Sequence, residues 1–118
     1  MNFGYCIMTL KLVKCLYFVN NFTIFSNRPK NSIQNLADLG ITAKMREEII
    51  LNLEVEDYSE GPLEETQQGG NEMWVFGKII NNQQVYIKLT ISQVTGSPIC
   101  ISFHRAEYLM EFPFKVEN

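Results

Sequence analysis

From Val85 the chain alternates strictly: Val85, Ile87, Leu89 and Ile91 are apolar, while Tyr86, Lys88, Thr90 and Ser92 between them are polar or amphipathic. A period of two marks a half-buried strand. The turn chemistry of Thr95, Gly96, Ser97 and Pro98 follows, and the alternation then resumes with Ile99, Ile101 and Phe103 apolar and Cys100, Ser102 and His104 on the opposite parity. Two such runs about a turn predict an antiparallel hairpin. Keeping both apolar sets in one core confines the hairpin to registers that pair odd with odd and even with even. A turn centred near Thr95 sets Tyr86 opposite His104. Opposed residues have Cβ atoms roughly 4.5–5.5 Å apart, so a phenol, the single imidazole of the chain and the Lys88 ammonium are expected on one non-core face.

Upstream, Trp74 to Ile80 reads as the first strand of the sheet. Asn81, Asn82, Gln83 and Gln84 are expected to close it onto Val85, with Gly77 leaving a depression beside Lys88 and Trp74 in the core. Phe112 and Phe114 around Pro113 suit a segment laid over the sheet. Earlier in the chain the period changes to that of helices. Asn31 or Ser32 is expected to cap a helix bearing Ile33, Leu36 and Leu39, with Gly40 as its left-handed exit. Thr42 is expected to cap a second helix, Ala43 to Leu53, whose inner stripe is Met45, Ile49 and Leu53 with Ile50 alongside. Phe3 to Val19, interrupted by Lys11 and Lys14, reads as a buried helix with Cys6, Leu10, Val13 and Tyr17 inward rather than a signal peptide or a membrane span. Phe22 to Phe25 suits a short strand or an extended entry to the turn at Asn27, Arg28 and Pro29. Glu54 to Gly70, with breakers Gly61, Pro62, Gly69 and Gly70, reads as one long connection.

These elements define an α+β fold: a single domain over residues 1–118, mainly helical in 1–53, with the helices packed on one face of a small antiparallel sheet formed by 73–115. A length of 118 residues supports one core but not two, and 46% hydrophobic with 19% charged residues is an ordinary globular composition that gives no reason to invoke disorder.

Charge changes the picture of partners. The net charge is -3, with six basic against three acidic groups in residues 1–50 and four against ten in residues 51–118. No blanket basic surface exists, so any nucleic-acid contact is local. Glu54, Glu56, Asp57, Glu60, Glu64 and Glu65 crowd one stretch without calcium-loop spacing, which fits a solvated loop. Cys6, Cys15 and Cys100 are odd in number and form no close pair, which fits reduced thiols in a cytoplasmic protein.

The chain lacks a phosphate-cradling glycine loop, a Cys-x-x-Cys pair, a His-x-x-x-His pair and a Gly-x-Ser-x-Gly elbow, so no metal or cofactor is expected. What remains is Tyr86, Lys88 and His104. Metal-independent RNA cleavage by a 2′-hydroxyl needs a base, an acid for the departing 5′-oxygen and positive charge beside the phosphorane. A histidine exchanges protons near neutrality, Lys88 supplies charge, and Tyr86 donates a hydrogen bond or stacks on a base. Lys78 and Arg105 are candidate RNA-binding residues if the strand ends bring them round; taken singly they read as solubilising charges rather than as site residues. The bland alternative for Tyr86 and His104 is a cross-strand pair contributing roughly 0.2–1 kcal/mol to the sheet and nothing more. Cys100, placed on the His104 face two pairs along, lacks the adjacent base a thiol nucleophile needs.

The run Leu39-Gly40-Ile41-Thr42, the amphipathic helix ending at Leu53, Asp57-Tyr58, Trp74, Val85-Tyr86-Ile87-Lys88-Leu89 and Ile101-Ser102-Phe103-His104 resemble, in order and spacing, the MqsR-type toxins of bacterial toxin-antitoxin systems. The stretches DYSEGPLEET, MWVFGK, VYIKLT and CISFHRAE look like a divergent branch of that family, and the resemblance covers roughly residues 33–115. It implies a RelE-like fold, endoribonuclease activity on mRNA independent of the ribosome, and neutralisation by a cognate antitoxin protein. The family tyrosine falls on Tyr86, and the lysine at the end of the last strand falls on His104, which keeps a proton carrier. The loop lysine falls near Glu60, reversing the charge, and the family glutamine falls on Val75. Two readings follow: a ribonuclease with a changed site centred on His104, Tyr86 and Lys88, or a non-catalytic protein-binding domain of the same fold, for which the acidic balance argues.

Overall fold

The computed structural model describes residues 29–64, 72–91 and 98–115. The expected N-terminal helix over Phe3 to Val19 and the entry at Phe22 to Phe25 lie outside these residues. Helix α1 (Pro29–Leu39) begins earlier than a cap at Asn31 or Ser32 would allow and ends as expected. Gly40 takes φ +72°, its N–H reaches Ala37 O at 3.1 Å, and the Ile41 N–H reaches Leu36 O at 3.1 Å. Those two bonds close the Schellman pattern that only a residue tolerant of the left-handed region completes cheaply. A further donor, Asn81 Nδ2, caps Leu39 O at 2.8 Å from the turn between two strands.

Thr42 caps α2 (Ala43–Leu51), its hydroxyl accepting from the Met45 N–H at 3.1 Å. The helix stops two residues short of Leu53, and this rotates its inner face. Arg46 and Ile50, one helical turn apart, face inward, and Leu53 enters the core from beyond the helix end. Met45, expected in the stripe, is 43% exposed.

The expected long connection contains structure. A 3-10 turn (Val55–Asp57) is closed by a reciprocal box between Glu54 and Asp57. It leads into β1 (Tyr58–Glu64), which pairs antiparallel with β2 (Glu72–Ile80). This edge strand is concealed by its acids and by the breakers Gly61 and Pro62; two register irregularities accommodate them, and a Cβ on Gly61 would stand 2.7 Å from Met73 O. Strands β3 (Gln83–Ile91) and β4 (Pro98–Arg105) complete a four-stranded sheet of order β1-β2-β3-β4, antiparallel throughout. The β2–β3 link is a two-residue turn, not four. Asn81 and Asn82 both adopt positive φ, 50° and 64°, the geometry of a tight hairpin turn, and Ile80 pairs with Gln83.

Cross-strand rows define the two faces. Trp74 pairs with Leu89 and Leu89 with Cys100, while Phe76 pairs with Ile87 and Ile87 with Phe103. These side chains join Tyr58, Val85 and the helical Leu39 and Ile50 in one buried cluster. The description is that of an α+β fold. Between Lys88↔Ser102 and Leu89↔Cys100 the register shifts by one, leaving Ile101 as an additional residue in β4. Such a bulge reverses the parity along the strand. Cys100 therefore lies on the core face, not on the His104 face where simple alternation puts it.

On the other face run the rows Gly77↔Tyr86↔His104 and Val75↔Lys88↔Ser102, with Glu60 of β1 opposite Val75. Residues after β4 cross this face from β4 back to β1 as a strap. The Ala106 N–H reaches Gln84 O at 2.8 Å, the Met110 N–H reaches Gln84 Oε1 at 2.9 Å, and Ser59 Oγ donates to Glu111 O at 2.7 Å. Phe114 ends the crossing stacked on Tyr58, ring centroids 5.0 Å apart. Gly77 offers no depression beside Lys88: it sits opposite Tyr86, and Phe112 and Met110 cover it so closely that a Cβ there would stand 2.7 Å from Phe112 Cζ.

Candidate active site

The hairpin register places Tyr86 directly opposite His104, and their rings stack with centroids 5.1 Å apart and planes 9° from parallel. Lys88, two residues along β3 on the same face, holds its Nζ 5.5 Å from the Tyr86 ring centroid. A cation over an aromatic face is favourable and holds the Lys88 side chain against Tyr86. His104 Nδ1 lies 2.8 Å from Arg105 O. A carbonyl oxygen can only accept, so Nδ1 carries the proton and Nε2 is the nitrogen left to exchange one.

Tyr86, Lys88, Ser102, His104, Glu107 and Tyr108 line a cleft of about 190 Å³. The expected trio is thus brought together. The other two candidates are not. Lys78 pairs with Val85, a core-face position, and its Nζ lies 2.9 Å from Asp57 Oδ2. Arg105 pairs with Val85 from the other side and is exposed at the strand end. Both belong to the row next to the Tyr86 row, with side chains of opposite parity, and neither lines the cleft.

Glu107 and Tyr108 escape the sequence reading because they follow the last strand in a segment without periodicity; the aromatic density of Tyr108, Phe112 and Phe114 is the only hint. The strap turns Tyr108 edge-on to Tyr86, centroids 6.3 Å apart at 72°, and its hydroxyl donates to Glu60 Oε1 at 3.1 Å. Desolvation, then the Glu60 hydrogen bond and charge, push the Tyr108 phenol above its ordinary value, so it remains a donor. Glu60, read as a charge reversal of a loop lysine, is therefore a tether for the cleft rim.

Cys100 is no part of this site. Its thiol is fully buried on the core face, and burial pushes it up to about 12, only partly offset by Arg46 and a backbone hydrogen bond. A thiol so placed is inert as a nucleophile.

Among the described residues no group of three or more His, Cys, Asp or Glu side chains could hold a metal ion, and no helix is long and apolar enough to cross a membrane. Comparison with protein-family models, with curated proteins and with solved structures finds no match to the chain.

Proposed function

We propose that this chain is a metal-independent endoribonuclease acting on mRNA, a toxin of the type II toxin-antitoxin class that works in the cytoplasm and is held in check by a cognate antitoxin protein. The observation that carries the reading is the stack of Tyr86 on His104 with Lys88 in the same cleft. The likeness to MqsR-type toxins in the order of motifs supports it. In the reaction the Glu107 carboxylate removes the 2′-hydroxyl proton, and the 2′-oxygen forms a bond to phosphorus. The bond from phosphorus to the 5′-oxygen breaks, and His104 Nε2, protonated, delivers a proton to that oxygen. The products are a 2′,3′-cyclic phosphate and a 5′-hydroxyl. Lys88 offsets the charge that develops on the phosphorane. Tyr86 holds the imidazole plane, and the Arg105 carbonyl fixes its tautomer.

Expression of the chain in a bacterial host is expected to arrest growth with cleavage of mRNA, and His104→Ala to relieve both. Equal toxicity of the two proteins would remove His104 from the chemistry.

A second reading, a non-catalytic protein-binding domain of the same fold, is favoured by one observation: the cleft itself carries a carboxylate, Glu107, in a chain of net charge -3. Under it, purified protein leaves RNA intact and binds a basic protein with strong salt dependence.

A further inference from the structure

The rim of the cleft carries an aromatic ring that the cleavage chemistry does not use. Tyr108 is 54% exposed, yet its orientation is set at two points: the hydroxyl donates to Glu60 across the sheet face, and the ring meets Tyr86 edge-on. An edge-on contact occupies at most one face of a ring, and the exposure shows that ring surface remains open to solvent. The next residue, Leu109, is 87% exposed and sets a second apolar side chain beside it. Two consecutive exposed side chains of this size give the cleft rim an apolar surface open to a ligand. The surface under them is polar: Lys88, His104 and Glu107 line the same cleft.

We propose that Tyr108, oriented by Glu60, is a stacking platform for one unpaired nucleobase next to the phosphate held at Lys88 and His104. This rests on the ribonuclease reading and adds to it a residue that selects the substrate. A base inside a duplex has both faces covered by neighbours, so a platform of this kind accepts only a base turned out of a helix. The ring bonds to π-faces and not to base edges, so the preference it creates is for a base over none, and for purine over pyrimidine, rather than for a sequence. Glu60 acts through Tyr108 as a positioning residue: it stops the phenol swinging into solvent, which lowers the ordering cost of stacking.

The test measures binding of the full-length protein to a short 2′-O-methyl oligonucleotide, which cannot be cleaved, and to copies carrying one abasic residue at each position in turn. Tyr108→Ala and Tyr108→Leu are expected to weaken binding of the intact oligonucleotide roughly tenfold, Tyr108→Phe and Glu60→Ala by less. One abasic position is expected to weaken wild-type binding equally and to add nothing to the loss in Tyr108→Ala. A purely structural tyrosine would not give that non-additivity. If wild type binds and Tyr108→Ala and Tyr108→Leu bind equally well, or lose the same affinity for every abasic copy, the platform is wrong while the ribonuclease stands. If wild type binds none of the oligonucleotides, the ribonuclease reading fails and the platform with it.

Discussion

His104 and Tyr86 are direct cross-strand partners with rings parallel to within 9°, so the imidazole is held by an aromatic ring stacked against it. Removing the ring beneath it frees the imidazole without removing the proton carrier. Tyr86→Phe is expected to keep nearly full RNA cleavage, Tyr86→Leu to lose several-fold, and His104→Ala to lose on the order of 10²–10⁴-fold. Tyr86→Leu should also cost about 0.5–1.5 kcal/mol in denaturant unfolding. Single-turnover cleavage of a labelled RNA, with urea melts of the same proteins, separates the two effects.

The two lysines of the middle strands divide by face. Lys88→Met is expected to lower cleavage at least tenfold with stability nearly unchanged, because its ammonium contacts the cleft. Lys78→Met is expected to leave cleavage within about twofold and to cost less than about 1 kcal/mol, the ordinary worth of a partly exposed pair such as that with Asp57. Reversal of the two outcomes would mean that RNA lies on the face of the sheet that carries Phe76 and Ile87.

Gly77→Ala puts a methyl group where Phe112 and Met110 already sit, at 2.7–3.0 Å. Strands tolerate alanine, so the cost is one of overpacking: about 1–3 kcal/mol, with the strap displaced from the sheet. Because that strap carries Glu107 and Tyr108, cleavage is expected to fall along with the unfolding midpoint. Gly77→Ala, Phe112→Leu together should recover part of both, as a double-mutant cycle will show.

Stability is expected to decline above pH 9 through Cys100. The folded state holds the thiol protonated up to about 12, whereas the unfolded chain releases the proton near the ordinary value of 9.0. Between those values the unfolded state binds fewer protons, so unfolding free energy falls as pH rises, by at most about 1.4 kcal/mol per pH unit. The contribution is fully present below pH 9 and gone above pH 12. Guanidinium titrations across this window, wild type against Cys100→Ala, isolate the slope, and peptide mapping after iodoacetamide at pH 8 should find Cys100 unmodified in the native protein.

The placement of Tyr86 against His104 was legible because two conditions act together: strict alternation on β3 and a single core to serve. The exit of α1 at Gly40 and the cap at Thr42 were legible from local backbone chemistry. The inward Cys100 was not, since alternation assumes one residue per pair and a bulge breaks that count at Ile101. Strand β1 was not, because an edge strand with one partner carries acids, Gly61 and Pro62 that a central strand cannot. The turn at Asn81 and Asn82 is two residues long, not the four expected from Asn81 to Gln84, because both asparagines take positive φ and let Gln83 pair with Ile80. Tyr108 had no periodic signal at all; only the folded strap brings it to Glu60.

The additional residue at Ile101 makes β4 a hinge of parity: the half bearing Pro98 and Ile99 and the half bearing His104 obey separate counts. Deleting Ile101 would leave plain alternation from Cys100 through His104, with the thiol still inward and the imidazole still outward, so a strand shortened by this one residue is expected to keep both the core and the cleft.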